Sequence, residues 1–175
     1  VFFAAASIAR LWLALARPLW HDETFTVWVS RMAPRALVDA LRADSGPPLF
    51  YLASRAFVHL AEVWNLPDTF VRILPYLAIL ALAFGVRSLP APGARAAYLV
   101  LTGSFALLSF YSAEARAYAL LAALDFALFV ELRQRRDDLV HSFLVAACTL
   151  AALLTHYLAI FFVGSAVIVA IVERR

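Results

Sequence analysis

Lysine is absent from this chain, and all fifteen basic residues are arginines. Charge of either sign is scarce, at 15% of residues. Soluble domains carry nearer ~25% charge and ~45–50% apolar residues. Here the apolar share is 65% and the mean hydropathy +0.84. A soluble fold of 175 residues has no use for so much unbroken apolar sequence, which points to an integral membrane protein. Cysteine is nearly absent too. Cys148 is the only one and lies inside an apolar run, which excludes an internal disulfide and a cysteine metal cluster. As a small apolar residue it needs no further role. No Walker, Rossmann or zinc motif occurs, and no internal repeat, low-complexity tract or soluble linker. The arginines do not gather on one face as in a nucleic-acid binder. They sit mostly at the ends of apolar segments, as topology signals and headgroup anchors do.

Seven apolar segments can be marked: 1–19, 47–64, 69–88, 96–112, 117–132, 139–155 and 157–172. All but 47–64 read as membrane spans. The expected fold class is all-α: a polytopic transmembrane helix bundle with external juxtamembrane helices between the first and second spans. The loop 20–68 carries those helices, at 23–32 and 34–42. Pro34 suits a first helical turn, and Ala36, Leu37, Val38, Ala40 and Leu41 give the second of them an apolar side. Val1 to Ala16 resembles a signal-peptide core, but Arg17-Pro18-Leu19-Trp20 is no cleavage region. A first transmembrane helix that lacks a few residues fits better. Glu173-Arg174-Arg175 directly follows an apolar run, so residues 1–175 read as the N-terminal part of one longer transmembrane domain.

Orientation follows from the arginine bias of short loops. Arg133-Gln134-Arg135-Arg136, the stretch from Arg87 to Arg95, and Arg174-Arg175 mark the cytoplasmic side. Segments 96–112 and 117–132 then form a hairpin with its tip, Tyr111 to Tyr118, outside. Segments 139–155 and 157–172 form another, with Thr155-His156-Tyr157 at the tip. Parity then requires 47–64 to stay outside. It is shorter than the ~20 residues a span needs. Arg55, His59 and Glu62, spaced four and three apart, share one helical face. An interfacial or re-entrant helix is the expectation.

Three polar clusters stand against this apolar background. His21-Asp22-Glu23-Thr24 follows the first span directly. Its carboxylates are either catalytic, taking a proton from an attacking hydroxyl, or N-terminal charges that favour a helix dipole. Asp44-Ser45-Gly46-Pro47-Pro48-Leu49-Phe50-Tyr51 is either a site loop or a cap and turn between helices. In Tyr111-Ser112-Ala113-Glu114-Ala115-Arg116-Ala117-Tyr118, the planar fork of Arg116 suits phosphate oxygens, with Glu114 on a metal or on sugar hydroxyls. A local charge pair capping the turn is the plainer alternative. Thr155-His156-Tyr157 reads as a weaker site candidate or an ordinary interfacial anchor. Asp125 lies in mid-segment, where a bare carboxylate must face other helices.

These residues resemble a known family, the membrane-embedded GT-C glycosyltransferases. The resemblance is to the branch with dolichyl-phosphate-mannose–protein mannosyltransferases and lipid A aminoarabinose transferases. Trp20 to Thr24 is similar to that family's acidic motif in the first external loop. Asp44 to Tyr51 is similar to its H-P-P-L-x-Y element, with Gly46 where the family usually has histidine. Phe70-Val71-Arg72-Ile73-Leu74-Pro75 is similar to its A-x-R-L-P start of a span, Tyr111 to Leu120 to its Y-S-Q-E-A-R-M-Y-A-L tip, and Thr155-His156-Tyr157 has a counterpart. The five occur in order over almost the whole chain.

The resemblance implies a glycosyltransferase. It would move a sugar from a polyprenyl-phosphate carrier to a protein, lipid or glycan acceptor at the external face of a membrane, in bacteria the inner (plasma) membrane. It further implies Asp22 as general base, Glu23 supporting it, and Glu114 as the second acidic residue. Arg116, Asp44, Tyr118 and His156 become the substrate-binding residues. A divalent metal is left open as cofactor, with no ligands assigned. Two rival classes are a transporter or flippase module for a lipid-linked substrate, which only Asp125 fits, and a noncatalytic membrane assembly subunit, which needs no acid pair.

Overall fold

The structure, a computed structural model, describes residues 2–44, 46–89, 91–134, 136 and 138–173. Ser45, Arg135 and Arg174-Arg175 of the clusters above lie outside them. The described residues are all-helical. They form α1 (Phe2–Ala16), α2 (His21–Arg31), α3 (Pro34–Asp44), α4 (Leu49–Val63), α5 (Ile73–Phe84), α6 (Pro92–Ser104), α7 (Ala106–Ser112), α8 (Tyr118–Gln134), α9 (Leu139–Thr155) and α10 (Ala159–Glu173). Short 3₁₀ turns at Asp68–Arg72 and Gly85–Ser88 flank α5.

The boundaries follow from local chemistry. α1 stops before Pro18, whose ring disfavours helical geometry at Arg17. At the start of α2 the Glu23 carboxylate accepts the Trp20 N–H, 3.2 Å, which is the acidic half of a capping box. Pro34 opens α3 at its first position. α4 ends in a Schellman arrangement: Asn65 takes a left-handed φ of 53°, the Leu66 N–H reaches Ala61 O at 2.8 Å, and the Asn65 N–H reaches Glu62 O at 3.4 Å. Asp138 caps α9 by accepting the His141 N–H at 2.7 Å.

α5 packs on α8, and α8 on α9; α10 follows α9, and α1 lies along α6. Ala78, Ile79, Leu82 and Ala119 form the apolar seam between α5 and α8. Leu121, Ala152 and Ala159 join α8, α9 and α10. α2 and α4 pair with each other over one end of this bundle, touching the 68–72 turn and α9. Val27, Val58, Val71 and Ala115 meet there, so the cap and the tip after α7 share one core. α3 closes on α2 through Val29, Leu37 and Leu41.

The expected span 96–112 is not one straight helix. It breaks at Phe105, whose extended ψ of 116° separates α6 from α7 with a bend of 59°. No proline is involved; Gly103-Ser104 precede the break, a sequence that kinks helices. The carbonyls it frees are met by Arg10 on α1, which donates to Thr102 O (3.2 Å), Gly103 O and Ser109 Oγ (2.6 Å). One nitrogen of a buried arginine is thereby satisfied inside the bundle, while its Nη1 has no hydrogen-bond partner among the described residues. By length and composition, one stretch, Asp68–Ser88, is long and apolar enough to cross a membrane, and the bent α6–α7 pair would make a second. α9 and the apolar parts of α1 and α10 are shorter apolar helices. α4 has 15 residues, and its polar face turns to α2: Glu62 meets Arg31 at 2.9 Å and Arg55 donates to Met32 O.

Candidate active site

Glu23 and Arg72 organise the capped end. Arg72 Nε donates to Glu23 Oε1 at 2.7 Å, and Nη2 donates to Oε2. The same guanidinium donates to the carbonyls of Ala14, Arg17 (2.7 Å) and Pro18 (2.9 Å), the unsatisfied end of α1. Glu23 completes its set with the Ala115 N–H at 2.7 Å. Burial alone would raise the Glu23 pKa, but Arg72 and the Ala115 and Trp20 amides outweigh it and hold the carboxyl below the usual range. Its four acceptor contacts fasten three pieces of chain, the start of α2, the 68–72 turn and the 113–117 tip, and Arg72 ties the end of α1 to them. Glu23 is therefore spent on architecture.

Asp22, one residue earlier, points elsewhere. Its Oδ2 lies 3.3 Å from Arg116 Nη1, and both side chains are partly exposed, 36% and 27%. The tip that carries Arg116 is pinned from beneath. Thr26 Oγ1 donates to Ala115 O at 3.1 Å, and Arg17 donates to Ala113 O at 3.2 Å. Burial works against the charge of Arg116, but Tyr118, Asp22 and Tyr51 more than offset it, and its pKa is raised.

Beside this pair opens a cleft of about 190 Å³. Asp44, Gly46, Tyr51, Arg116, Tyr118 and His156 line it, with Thr26, Pro47, Phe50, Ala117, Thr155 and Tyr157. All four expected substrate-binding residues thus border one space, although 112 residues of sequence separate Asp44 from His156 (156 − 44). Asp22 is not itself among the lining residues; it reaches the cleft only through its pairing with Arg116. Glu114 is not among the lining residues. It is buried behind the tip, 5% exposed. Burial first, then the charge of Glu23, raise its pKa against the pull of Arg17, Arg72 and Arg116.

No family model, curated protein or solved structure matches the chain. What the site can do is therefore read from its own side chains.

The far wall of the cleft is aromatic. Tyr111 and Tyr118 stand 4.5 Å apart between ring centroids, Tyr118 and His156 5.0 Å, and His156 and Tyr157 4.3 Å. The Arg116 guanidinium lies 5.9 Å from the Tyr118 ring centre. His156 leaves helical geometry at the end of α9, and its Nδ1 accepts the Leu158 N–H at 3.1 Å. Burial and then the charge of Arg116 lower its pKa. A neutral ring with Nδ1 as acceptor carries its proton on Nε2, which leaves one N–H donor for a ligand. The cleft thus combines a cation, a carboxylate, tyrosine hydroxyls and a neutral imidazole donor. That mixture suits a polar, hydroxyl-rich group joined to an anion. Among the described residues no three His, Cys, Asp or Glu side chains come together as a metal site.

Two residues escaped the sequence reading of the site. Arg72 looked like the start of a span; an arginine inside an apolar stretch was the available signal that a buried acid awaited it. Tyr51 belonged to the proline-rich element but gave no sign that it would face Arg116 and Tyr118.

Proposed function

We propose that the chain belongs to a polytopic membrane glycosyltransferase of GT-C type, drawing its sugar from a polyprenyl-phosphate carrier at the external membrane face. One observation carries this reading: residues from four separate parts of the chain, Thr26 on α2, Asp44 to Tyr51, Arg116 to Tyr118 and Thr155 to Tyr157, converge on a single cleft at one end of the bundle. Supporting it, α8 sets Tyr118 of the cleft and Gln134 of the arginine-rich turn at opposite ends, about 24 Å apart at 1.5 Å per residue. Large apolar side chains also face outward along the bundle, among them Trp12, Leu139, Phe143, Phe161 and Ile168. Soluble surfaces rarely expose so much apolar area, and lipid is its natural cover.

In this reading Asp22 takes the proton of an acceptor hydroxyl. The hydroxyl oxygen attacks the anomeric carbon, the bond from that carbon to the carrier's phosphate oxygen breaks, and Arg116 receives the departing phosphate charge. Asp44, Tyr118 and the Nε2–H of His156 hold the sugar. Glu23 acts as a positioning residue through Arg72 and Ala115, and Glu114 acts from behind the tip. The test is sugar transfer by the full chain in membranes supplied with polyprenyl-phosphate sugars. Asp22→Asn should lower turnover by ~10²-fold or more, as loss of a general base does, without loss of folded protein. Normal turnover in that variant would remove Asp22 from the chemistry.

A further inference from the structure

We infer that Arg116 is shared between Asp22 and the carrier phosphate, so that binding of the phosphate releases Asp22 for the acceptor. This rests on the glycosyl-carrier reading above and adds an order of events to it. Among the described residues that line the cleft, Arg116 is the only cation. In the structure it is 3.3 Å from the Asp22 carboxylate. An unengaged carboxylate is the better hydrogen-bond partner for a hydroxyl, so Asp22 in this pairing is masked.

The pairing is also poised to open. Both side chains are partly exposed, and a single contact at 3.3 Å is not the two-point fork that Arg72 makes with Glu23. Exposed ion pairs of this kind are weak. A phosphate offers several charged oxygens to the same planar fork and binds it at two points. The pinned 113–117 backbone fixes the root of Arg116, and Tyr118 lies loosely against its guanidinium, so the head can turn from one anion to the other without moving the tip. Glu23 cannot substitute for Asp22 as the competitor, because its oxygens are occupied by Arg72, Trp20 and Ala115. Donor first, acceptor second is the order that results. A carbohydrate hydroxyl arriving alone meets a base still engaged by Arg116.

The experiment measures binding of a polyprenyl monophosphate, with the matching polyprenol as control, to the full chain in lipid nanodiscs. Asp22→Asn should tighten phosphate binding about two- to fivefold, the scale of an exposed ion pair. The gain should vanish in an Arg116→Gln background, and Asp44→Asn, which removes a cleft charge not paired with Arg116, should give a smaller gain. Unchanged or weaker binding in Asp22→Asn overturns the release and leaves the carrier reading standing. So does a gain that persists without Arg116, or one that Asp44→Asn equals. Wild-type protein that binds the phosphate no better than the polyprenol overturns the carrier reading itself, and the release with it. All variants alter partly exposed polar groups, and thermal unfolding in the same nanodiscs verifies that each is folded.

Discussion

Arg72 reaches Glu23 with two arms of its guanidinium, and neither residue is more than 1% exposed. Breaking such a pair from one side leaves a buried charge without a partner, which costs about 3–5 kcal/mol. The two halves are not equivalent. Glu23→Gln keeps the shape and some hydrogen bonding, whereas Arg72→Leu also orphans the carbonyls of Ala14, Arg17 and Pro18. Unfolding of detergent-solubilised protein should therefore show Arg72→Leu as the more destabilised of the two. Equal losses would mean that the α1 carbonyls contribute little.

The same pair makes a pH forecast with a definite sign. The Glu23 carboxyl is held below its ordinary range. The unfolded chain therefore takes up this proton first on acidification, and stability is lost as pH falls below about 4 and through the folded value. Glu114 runs the other way. Its folded pKa is raised, so its charge is a cost at neutral pH that fades on acidification. Melting curves should place Glu114→Gln about 1–3 °C above wild type at pH 7, with the gap closing toward pH 4. A gap that widens on acidification would contradict the assigned environment.

Topology offers a test independent of chemistry. Single cysteines placed in a Cys148→Ala chain near Asp44 and near Ser112 should react with an impermeant thiol reagent from outside the cell. One beside Gln134 should not, because arginine-rich loops stay inside. Labelling of Ser112 and Gln134 from the same side would be incompatible with the hairpin of α7 and α8 spanning a membrane.

Gly85 tests the packing of α5 on α8. A Cβ built there would stand 2.8 and 2.9 Å from Phe126 Cζ and Cδ1, closer than carbon atoms approach. The ring is hemmed in by Tyr98, 5.4 Å away, and Phe129, 6.5 Å away. Gly85→Ala should cost about 1–3 kcal/mol, and adding Phe126→Leu should recover part of it. Denaturation of the single and double variants measures the coupling.

Much of the helical layout was legible before any coordinates. Pro18, Pro34 and the Pro47-Pro48 pair cut the chain where helices end or begin, because proline acts on its immediate neighbours whatever the tertiary context. The short helices expected at 23–32 and 34–42 correspond to α2 and α3 within two residues at each end. The bend at Phe105 was not legible. A Gly-Ser step permits a kink, but it takes Arg10, ninety-odd residues earlier in the chain, to satisfy the opened carbonyls.

The residues of the site were nameable from the sequence as polar groups that an apolar chain has little reason to keep. What each one faces was decided only by the fold. Asp22 and Glu23 are adjacent and chemically alike, yet successive helical residues point about 100° apart. One turns inward to a buried arginine and the other outward to a half-exposed one. No local signal distinguishes them, because the difference lies in Arg72 and Arg116, which arrive from other parts of the chain. Composition and spacing alone determined that this protein is helical, apolar and polar only at a few turns. The tertiary structure decided which of those turns meet, since hydrogen bonds and ion pairs act over a few ångströms and sequence distance does not measure them.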